Sequence, residues 1–469
     1  MSFIKTLAAY LPEVGGPSQR KLGFKEKMKW TLLTLVLFFV LGMVSLFGLG
    51  ANALEQFEFL SLILGAEFGS IISLGIGPLV TASIVIQLLN GSGLIKFDTS
   101  TPEGKKNFQA VQKCTAIFFV IFEACIYVFM GGLAPPAQHA GTALYFWLEL
   151  LIVFQLFIGG MLIMFMDEVV SKWGFGSGIS LFIAAGVAKQ LFIRLFSPFT
   201  TSGSMGWPFG TEAPIGKLLE LFHSLLTANP VGAALALATI ATTAVIFCMA
   251  VYGQSMKVEI PLSFGRVRGH AIRWPLNFMY TSNIPVILIA ALLANIQLWA
   301  RLLQNWGHPF LGTFVGNSPA TGLVMWLSPP NILDAVIKGT VTGGLIAVAV
   351  FYILILMIGA TIFSYFWVQT SGMDANSQAK QILKSGLSIP GFRQDPRIME
   401  RILQRYIGPL TIMGGLSIGF LAGVADVMGA LVNGTSLLLS IMIVYRLYED
   451  IAKQHMYDMH PMMKKMMDI

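Results

Sequence analysis

The chain has 469 residues, of which 55% are hydrophobic and only 11% charged, with a mean hydropathy of +0.73. Soluble globular proteins carry about 25% charged residues, so the composition excludes a soluble enzyme or binding module and points to a polytopic membrane protein. The formal net charge of +7 follows from where Lys and Arg sit between apolar segments, and direct DNA binding is not expected from it.

In chain order, residues 1–29 are mixed and basic, without the short charged region and apolar core of a cleavable signal. Phe3, Ile4, Leu7, Ala8 and Leu11 recur at helical spacing, which predicts an amphipathic helix lying on the inner membrane face. Apolar stretches of about 20 residues, enough to cross the hydrocarbon core as helix, then fall at about 30–50, 71–90, 112–133, 143–166, 178–196, 231–252, 277–300, 343–367, 406–425 and 432–449. The short alternating strands of a transmembrane barrel are not the pattern here. The expected fold is all-α, with ten transmembrane helices.

Placing both termini inside puts every Lys and Arg except Lys189, Arg194, Lys217, Arg301 and Lys338 on the cytoplasmic side, as the positive-inside rule requires. The domain reading is an N-terminal segment 1–29, a half 30–196, an external loop 197–230, a second half 231–449 and a cytoplasmic tail 450–469. Five spans per half give the halves opposite orientation, so an inverted repeat is available, although no internal sequence identity marks it. Cys114, Cys125 and Cys248 lie in or beside apolar spans without paired spacing and read as buried, inert thiols.

Two inside loops carry structure of their own. "KVEIPLSFGRVRGHAIRWP" (257–275, within loop 253–276) alternates apolar and polar residues around Pro261 and Gly265, as a hairpin does. In loop 368–405, "DPRIMERILQRYIG" (395–408) places Arg397, Arg401 and Arg405 on one face of a short helix.

Several spans begin at breaks. Residues 55–70 are apolar, yet Glu55, Glu58 and Glu67 make them too acidic to span alone. They lead into "SLGIGP", where Gly75 and Gly77 permit bends and Pro78 suits a first helical turn. Two geometries fit: a short helix dipping into the membrane before a span that starts near Ile76, or an ordinary helix kinked at Pro78. Irregular backbone at membrane depth survives only inside protein or beside a water-filled cavity. "KWGFGSGIS" (172–180) opens the fifth span in the same Gly-rich way, and Pro285 lies early in the seventh.

Ionisable residues inside the spans are few, with Glu123, Glu149 and Asp426 the clear cases. An ion-coupled pump usually needs more. No nucleotide-binding loop, metal cluster or nucleophilic triad is present. The sequence describes a passage and not a catalyst. No cofactor, metal site or catalytic residue is expected.

"LGIGPLVTASIVIQLL" (74–89), "GSGISLFIAAGV" (176–187), "IPLSFGRVRG" (260–269), "SNIPVILIAALLANIQLW" (282–299), "GFR" (391–393) and "GTSLLLSIMIVYRLYE" (434–449) together resemble the SecY family, the channel subunit of the protein-conducting translocon, and its archaeal members most closely. The resemblance implies two inverted five-helix halves around an hourglass pore, closed midway by Ile76, Val80, Ile179, Ile183, Ile287 and Leu439. It further implies a re-entrant plug helix at about 55–70, including Glu55, Phe57, Phe59, Leu62, Leu64 and Glu67. A lateral gate with Thr81, Glu123 and Asn295 is implied, as are ribosome contacts through Arg266, Arg268 and Arg393. The partners it implies are a SecE-type subunit, a small third (beta-type) subunit, the ribosome, nascent secretory and membrane chains, and the lipid bilayer. A secondary transporter with inverted repeats and broken helices is the alternative.

Overall fold

The computed structural model describes residues 12–17, 22–50, 69–91, 94–95, 102–129, 133–200, 202, 204–206, 210, 212–264, 271–281, 284–305, 308–315, 318–384, 387–388 and 395–459. Among them six helices are long and apolar enough to cross a membrane. The chain clusters as two compact units, one of Met1–Leu219 with Ile443–Ile469, the other of Glu220–Met442.

The first unit contains α1 (Phe24–Leu41), α2 (Gly77–Gly91), α3 (Pro102–Phe129), α4 (Ala143–Trp173) and α5 (Gly178–Phe196). Its core joins Phe38, Ile72, Ala82, Val120, Ile152, Leu156, Ile163 and Phe182, with the Phe38 and Phe182 rings stacked 4.7 Å apart. Glycine lets α4 serve as the spine of this unit. A Cβ on Gly159 would overlap the Ile71 carbonyl, and one on Gly160 would stand 2.5 Å from Val120 Cγ1. Small residues let elements approach this closely in the membrane, where lipid provides no hydrophobic drive for association.

Helix α4 extends seven residues past the predicted end at 166, to Trp173. The added turns bind residues 12–17. Val14 N–H donates to Glu168 Oε2 (3.0 Å), Lys172 Nζ to the Val14 carbonyl, and Trp173 Nε1–H to the Gly15 carbonyl (2.9 Å). Lys113 also pairs with Glu168. The Lys172 hydrogen bond holds the Glu13 carboxyl below the usual carboxylate range.

In the second unit, α6 (Lys217–Leu226) leads to α7 (Pro230–Ser255), which starts with Pro230 in its first turn and the Asn229 side chain accepting from Gly232 N–H. The predicted hairpin is present as β1 (Lys257–Phe264) and β2 (Ala271–Asn277), paired from Lys257↔Asn277 to Ser263↔Ala271. Ile260 and Leu276 face a core, while Glu259 and Arg273 pair outside it at 2.9 Å.

Next come α8 (Ile284–Asn305), a small ribbon of β3 (Phe314–Val315) and β4 (Ser318–Pro319), and the short helices α9 (Leu323–Trp326) and α10 (Ile332–Ile337). The ribbon and the two short helices lie between the seventh and eighth predicted spans. α11 (Gly343–Thr370), α12 (Ala375–Lys384), β5 (Leu387–Ser388), α13 (Pro396–Val427) and α14 (Gly434–Met459) complete the chain.

Two features of this unit were not expected. Strand β5 pairs with β1 at Ser263↔Ser388 and Phe264↔Leu387, so segments from the two loops predicted to lie inside join one sheet over a core with Tyr280, Leu403 and Ile407. And the predicted short helix at 395–408 does not end there. It runs on through Pro409 to Val427 as one 32-residue helix, capped by Asp395 accepting from Arg397 N–H at 2.9 Å. A helix-interior proline costs one hydrogen bond and crowds the preceding turn. Here Leu403 and Ile407 before it and Leu410 and Thr411 after it are all buried, so packing carries the helix across the defect. As predicted, Arg397, Arg401 and Arg405 are exposed together.

Gly415, Gly419 and Gly423 form a stripe on α13 against α11, where Cβ atoms would meet Ser364 Oγ at 2.7 Å, the Leu356 carbonyl at 2.7 Å and Ile353 Cγ1 at 3.1 Å. This is the small-residue helix contact of membrane proteins. Cys114 and Cys125 are half-buried, whereas Cys248 is exposed on α7. The expected burial of all three thiols does not hold, because an apolar helix face in a membrane needs no protein cover.

Candidate functional site at the helix starts

Irregular backbone precedes α2. Leu46 N–H donates to the Gly69 carbonyl and Ile71 N–H to the Val44 carbonyl, both at 2.9 Å, pairing the segment after α1 with the segment before α2. Tight turns follow, with Gly75 N–H donating to the Ile72 carbonyl at 2.7 Å. Gly75 has φ +55°, a left-handed conformation that favours glycine. Helix begins at Gly77, and Val80 N–H reaches the Ile76 carbonyl at 3.1 Å. Pro78 therefore lies in a first turn, where its missing N–H leaves nothing unpaired. The kinked-helix geometry is set aside, and the span predicted from 71 begins at 77. Apart from Gly69 and Ser70, the predicted plug, with Glu55, Phe57, Phe59, Leu62, Leu64 and Glu67, lies outside the described residues.

The predicted constriction residues share one local property. Ile76 immediately precedes α2 and Val80 is in its first turn. Ile179 and Ile183 lie in the first two turns of α5, Ile287 in the first turn of α8, and Leu439 in the second turn of α14. Leu439 is buried and the other five are half-buried. Within the second unit, Ile287 and Leu439 line a cavity of about 440 Å³ together with Gln297, Tyr352 and Asp426. Gly359 on α11 fixes α8 closely, since a Cβ there would stand 2.5 Å from Ile289 Cδ1.

Two of these helix starts are held by carboxylates from the preceding helix. Asp167 of α4 accepts from Ile179 N–H at 2.9 Å and from Ser177 Oγ at 3.4 Å. Asp426 of α13 accepts from Gly434 N–H at 2.6 Å and from Tyr352 Oη–H at 3.0 Å. A carboxylate here satisfies a backbone donor that the helix cannot pair and complements the positive end of the helix dipole. The sequence reading included Asp426 without a partner and missed Asp167. With the fourth span ended at 166, Asp167 fell outside it, and its neighbour Glu168 gave no local sign of which acid caps the next helix.

Of the predicted lateral-gate residues, Thr81 and Glu123 each lie beside Gly77 in the first turn of α2. Thr81 Oγ1–H donates to the Gly77 carbonyl at 2.9 Å, and Glu123 Oε2 lies 3.4 Å from where a Gly77 Cβ would be. Asn295 is on α8, its side chain outside the described residues. Arg266, Arg268 and Arg393 also lie outside them. Among the described residues no group of His, Cys, Asp and Glu is arranged to hold a metal ion.

Repeated long apolar helices, with irregular backbone before the shorter apolar α2, define a multi-pass α-helical membrane protein. The family model for SecY matches residues 70–448, and the chain belongs to the SecY family. It is 42% identical over 462 residues to the protein translocase subunit SecY of Methanothermobacter thermautotrophicus, covering 98% of this chain and 97% of that one. Its fold is similar to a SecY structure described as a translocation channel closed by a plug domain, with TM-score 0.78, 38% identity and coverage of 97% and 98% of the two chains. It is also similar to Sec61 in a canine ribosome–channel complex from the endoplasmic reticulum, with TM-score 0.76, 37% identity and the same coverage. The protein is a channel-forming subunit of the protein translocase, and the transporter alternative is set aside.

Proposed function

We propose that the chain is a passive conduit whose seal is the set Ile76, Val80, Ile179, Ile183, Ile287 and Leu439. The observation that carries this reading is the position of all six at the starts of four helices. Aliphatic side chains there make a constriction that dewets when empty and yields to a passing chain of any sequence. Hydrogen-bonding or charged groups would select among substrates.

In this reading residues 55–70 are the plug. Thr81, Glu123 and Asn295 hold the lateral gate closed through polar contacts until an apolar helix partitions to lipid. Arg266, Arg268 and Arg393 dock the ribosome. Both termini are cytoplasmic, in keeping with the distribution of Lys and Arg. The halves 30–196 and 231–449 are the inverted repeat, clamped by a SecE-type subunit and accompanied by a beta-type one. Driving force comes from the ribosome or another motor.

A cysteine at position 179 or 287 is expected to crosslink to a stalled secretory chain during active translocation. No crosslink from either position would sink the conduit reading. Deleting 57–67 is expected to raise ion leakage of the reconstituted complex in a planar bilayer several-fold, and unchanged conductance would reject the stopper role.

A further inference from the structure

We propose that Asp167 and Asp426 are positioning residues of the constriction, each fixing the start of a helix that carries part of the seal. The inference rests on the reading of Ile179, Ile183 and Leu439 as seal residues. Each carboxylate belongs to the helix before the one it caps, α4 for α5 and α13 for α14, so each is a bond between helices.

Both attachments are tight. A Cβ on Gly178 would stand 2.5 Å from the Asp167 Cα, and a Cβ on Gly434 would stand 2.5 Å from the Ala425 Cβ and 3.0 Å from the Asp426 N. Each helix start is thus pressed onto the backbone beside its cap. Ile179 is itself the residue whose N–H the first carboxylate holds. Leu439 follows Gly434 by five residues, and Leu437 N–H bonds back to the Asn433 carbonyl at 2.9 Å, continuing the same first turn.

The second site has an additional member. Tyr352 is buried and donates to the other oxygen of Asp426, tying α11 to the same point. Asp426 and Tyr352 line the cavity that Ile287 and Leu439 share. A shift of this carboxylate moves the wall of the cavity and a seal residue together. The two units therefore use one device at the corresponding position of their helix order, the junction of the last two long helices of each half. No sequence identity between the halves announces this.

The test uses the full chain assembled with its small subunits, with Cys114, Cys125 and Cys248 replaced by Ser. Ion leakage is read in planar bilayers, and the reaction of a single cysteine at 179 or 439 with a charged aqueous thiol reagent is read alongside. Asp167→Ala and Asp426→Ala are expected to raise leakage and thiol reaction several-fold. Asp→Asn at either site keeps an oxygen to accept the backbone N–H and is expected to restore both near to wild type, which a loss of general stability would not predict. Asp→Glu keeps charge and acceptor but displaces them by one methylene. It is expected to leak while still assembling, and it decides the matter if the Ala variants do not accumulate. Ile179→Ser and Leu439→Ser are the controls. If they leak while the assembled Ala or Glu variants match wild type in both readouts, the capping proposal is overturned and the seal reading stands. If the controls do not leak, the seal reading fails and the proposal fails with it.

Discussion

Gly159→Val is expected to prevent assembly of a functional channel. The obstacle is the Ile71 carbonyl, which occupies the place a Cβ would take. Backbone cannot rotate away as a side-chain tip can, so either α4 or the turn leading to α2 must move. Overpacking a well-packed site costs about 1–3 kcal/mol and sometimes more. The upper part of that range applies where the clash is with main chain. Ile71 opens the turns that end at Ile76, so the displacement reaches the proposed seal directly.

The measurement is the yield and thermal midpoint of the detergent-solubilised complex. Gly159→Ala is expected to show a weaker form of the same defect. A Cβ on Gly186 of α5 would meet nothing within 4 Å, and Gly186→Ala is expected to be neutral or stabilising by up to about 1 kcal/mol, because alanine is the better helix former. Wild-type yield and leakage in Gly159→Val would refute the account of α4 as a close-packed spine.

Arg268→Glu combined with Arg393→Glu is expected to weaken ribosome binding on the order of 100-fold or more at low salt, with the membrane domain still folded. Arg pairs with phosphate through two parallel hydrogen bonds, and charged hydrogen bonds contribute about 1.5–3 kcal/mol each. Reversal also adds repulsion. The two arginines belong to the segments that follow strands β1 and β5, which pair at Ser263↔Ser388 and Phe264↔Leu387. Losing two phosphate contacts should also flatten the dependence of log affinity on log salt by about 1.4–1.8. Co-sedimentation across a salt series measures both quantities. Unchanged binding at low salt would count against the docking role. A general excess of inside charge explains an Arg-rich surface, but it does not explain a three-stranded platform built from two separate loops.

Much of the fold was legible because it follows from local rules. Apolar length gave the long helices, alternation around Pro261 gave the hairpin, and the Arg spacing gave the exposed face of α13. The break at Gly75 and Pro78 was also visible, though the residues alone could not choose between a kink and a fresh start. What escaped depended on distant partners. Nothing local to Leu387 and Ser388 says that they add a strand to residues 257–264. The short helix at 395–408 and the span from about 406 read as separate elements until the burial of Leu403, Ile407, Leu410 and Thr411 on both sides of Pro409 is known. At the site, the aliphatic seal candidates came from resemblance, since such residues at helical spacing are ordinary packing. The carboxylate caps were hidden because an Asp acting across a helix junction has no fixed spacing to its partner.

The continuity of α13 has a mechanical consequence. At about 1.5 Å per residue, its 32 residues make a rod of about 48 Å. The exposed Arg397, Arg401 and Arg405 lie toward one end and Asp426 at the other, and the glycine stripe between them is seated on α11. Had the chain broken at Pro409, motion at the basic end would be lost in a hinge. An unbroken rod instead carries a push or twist along its axis, so load taken up at the basic end is delivered to the capped start of α14.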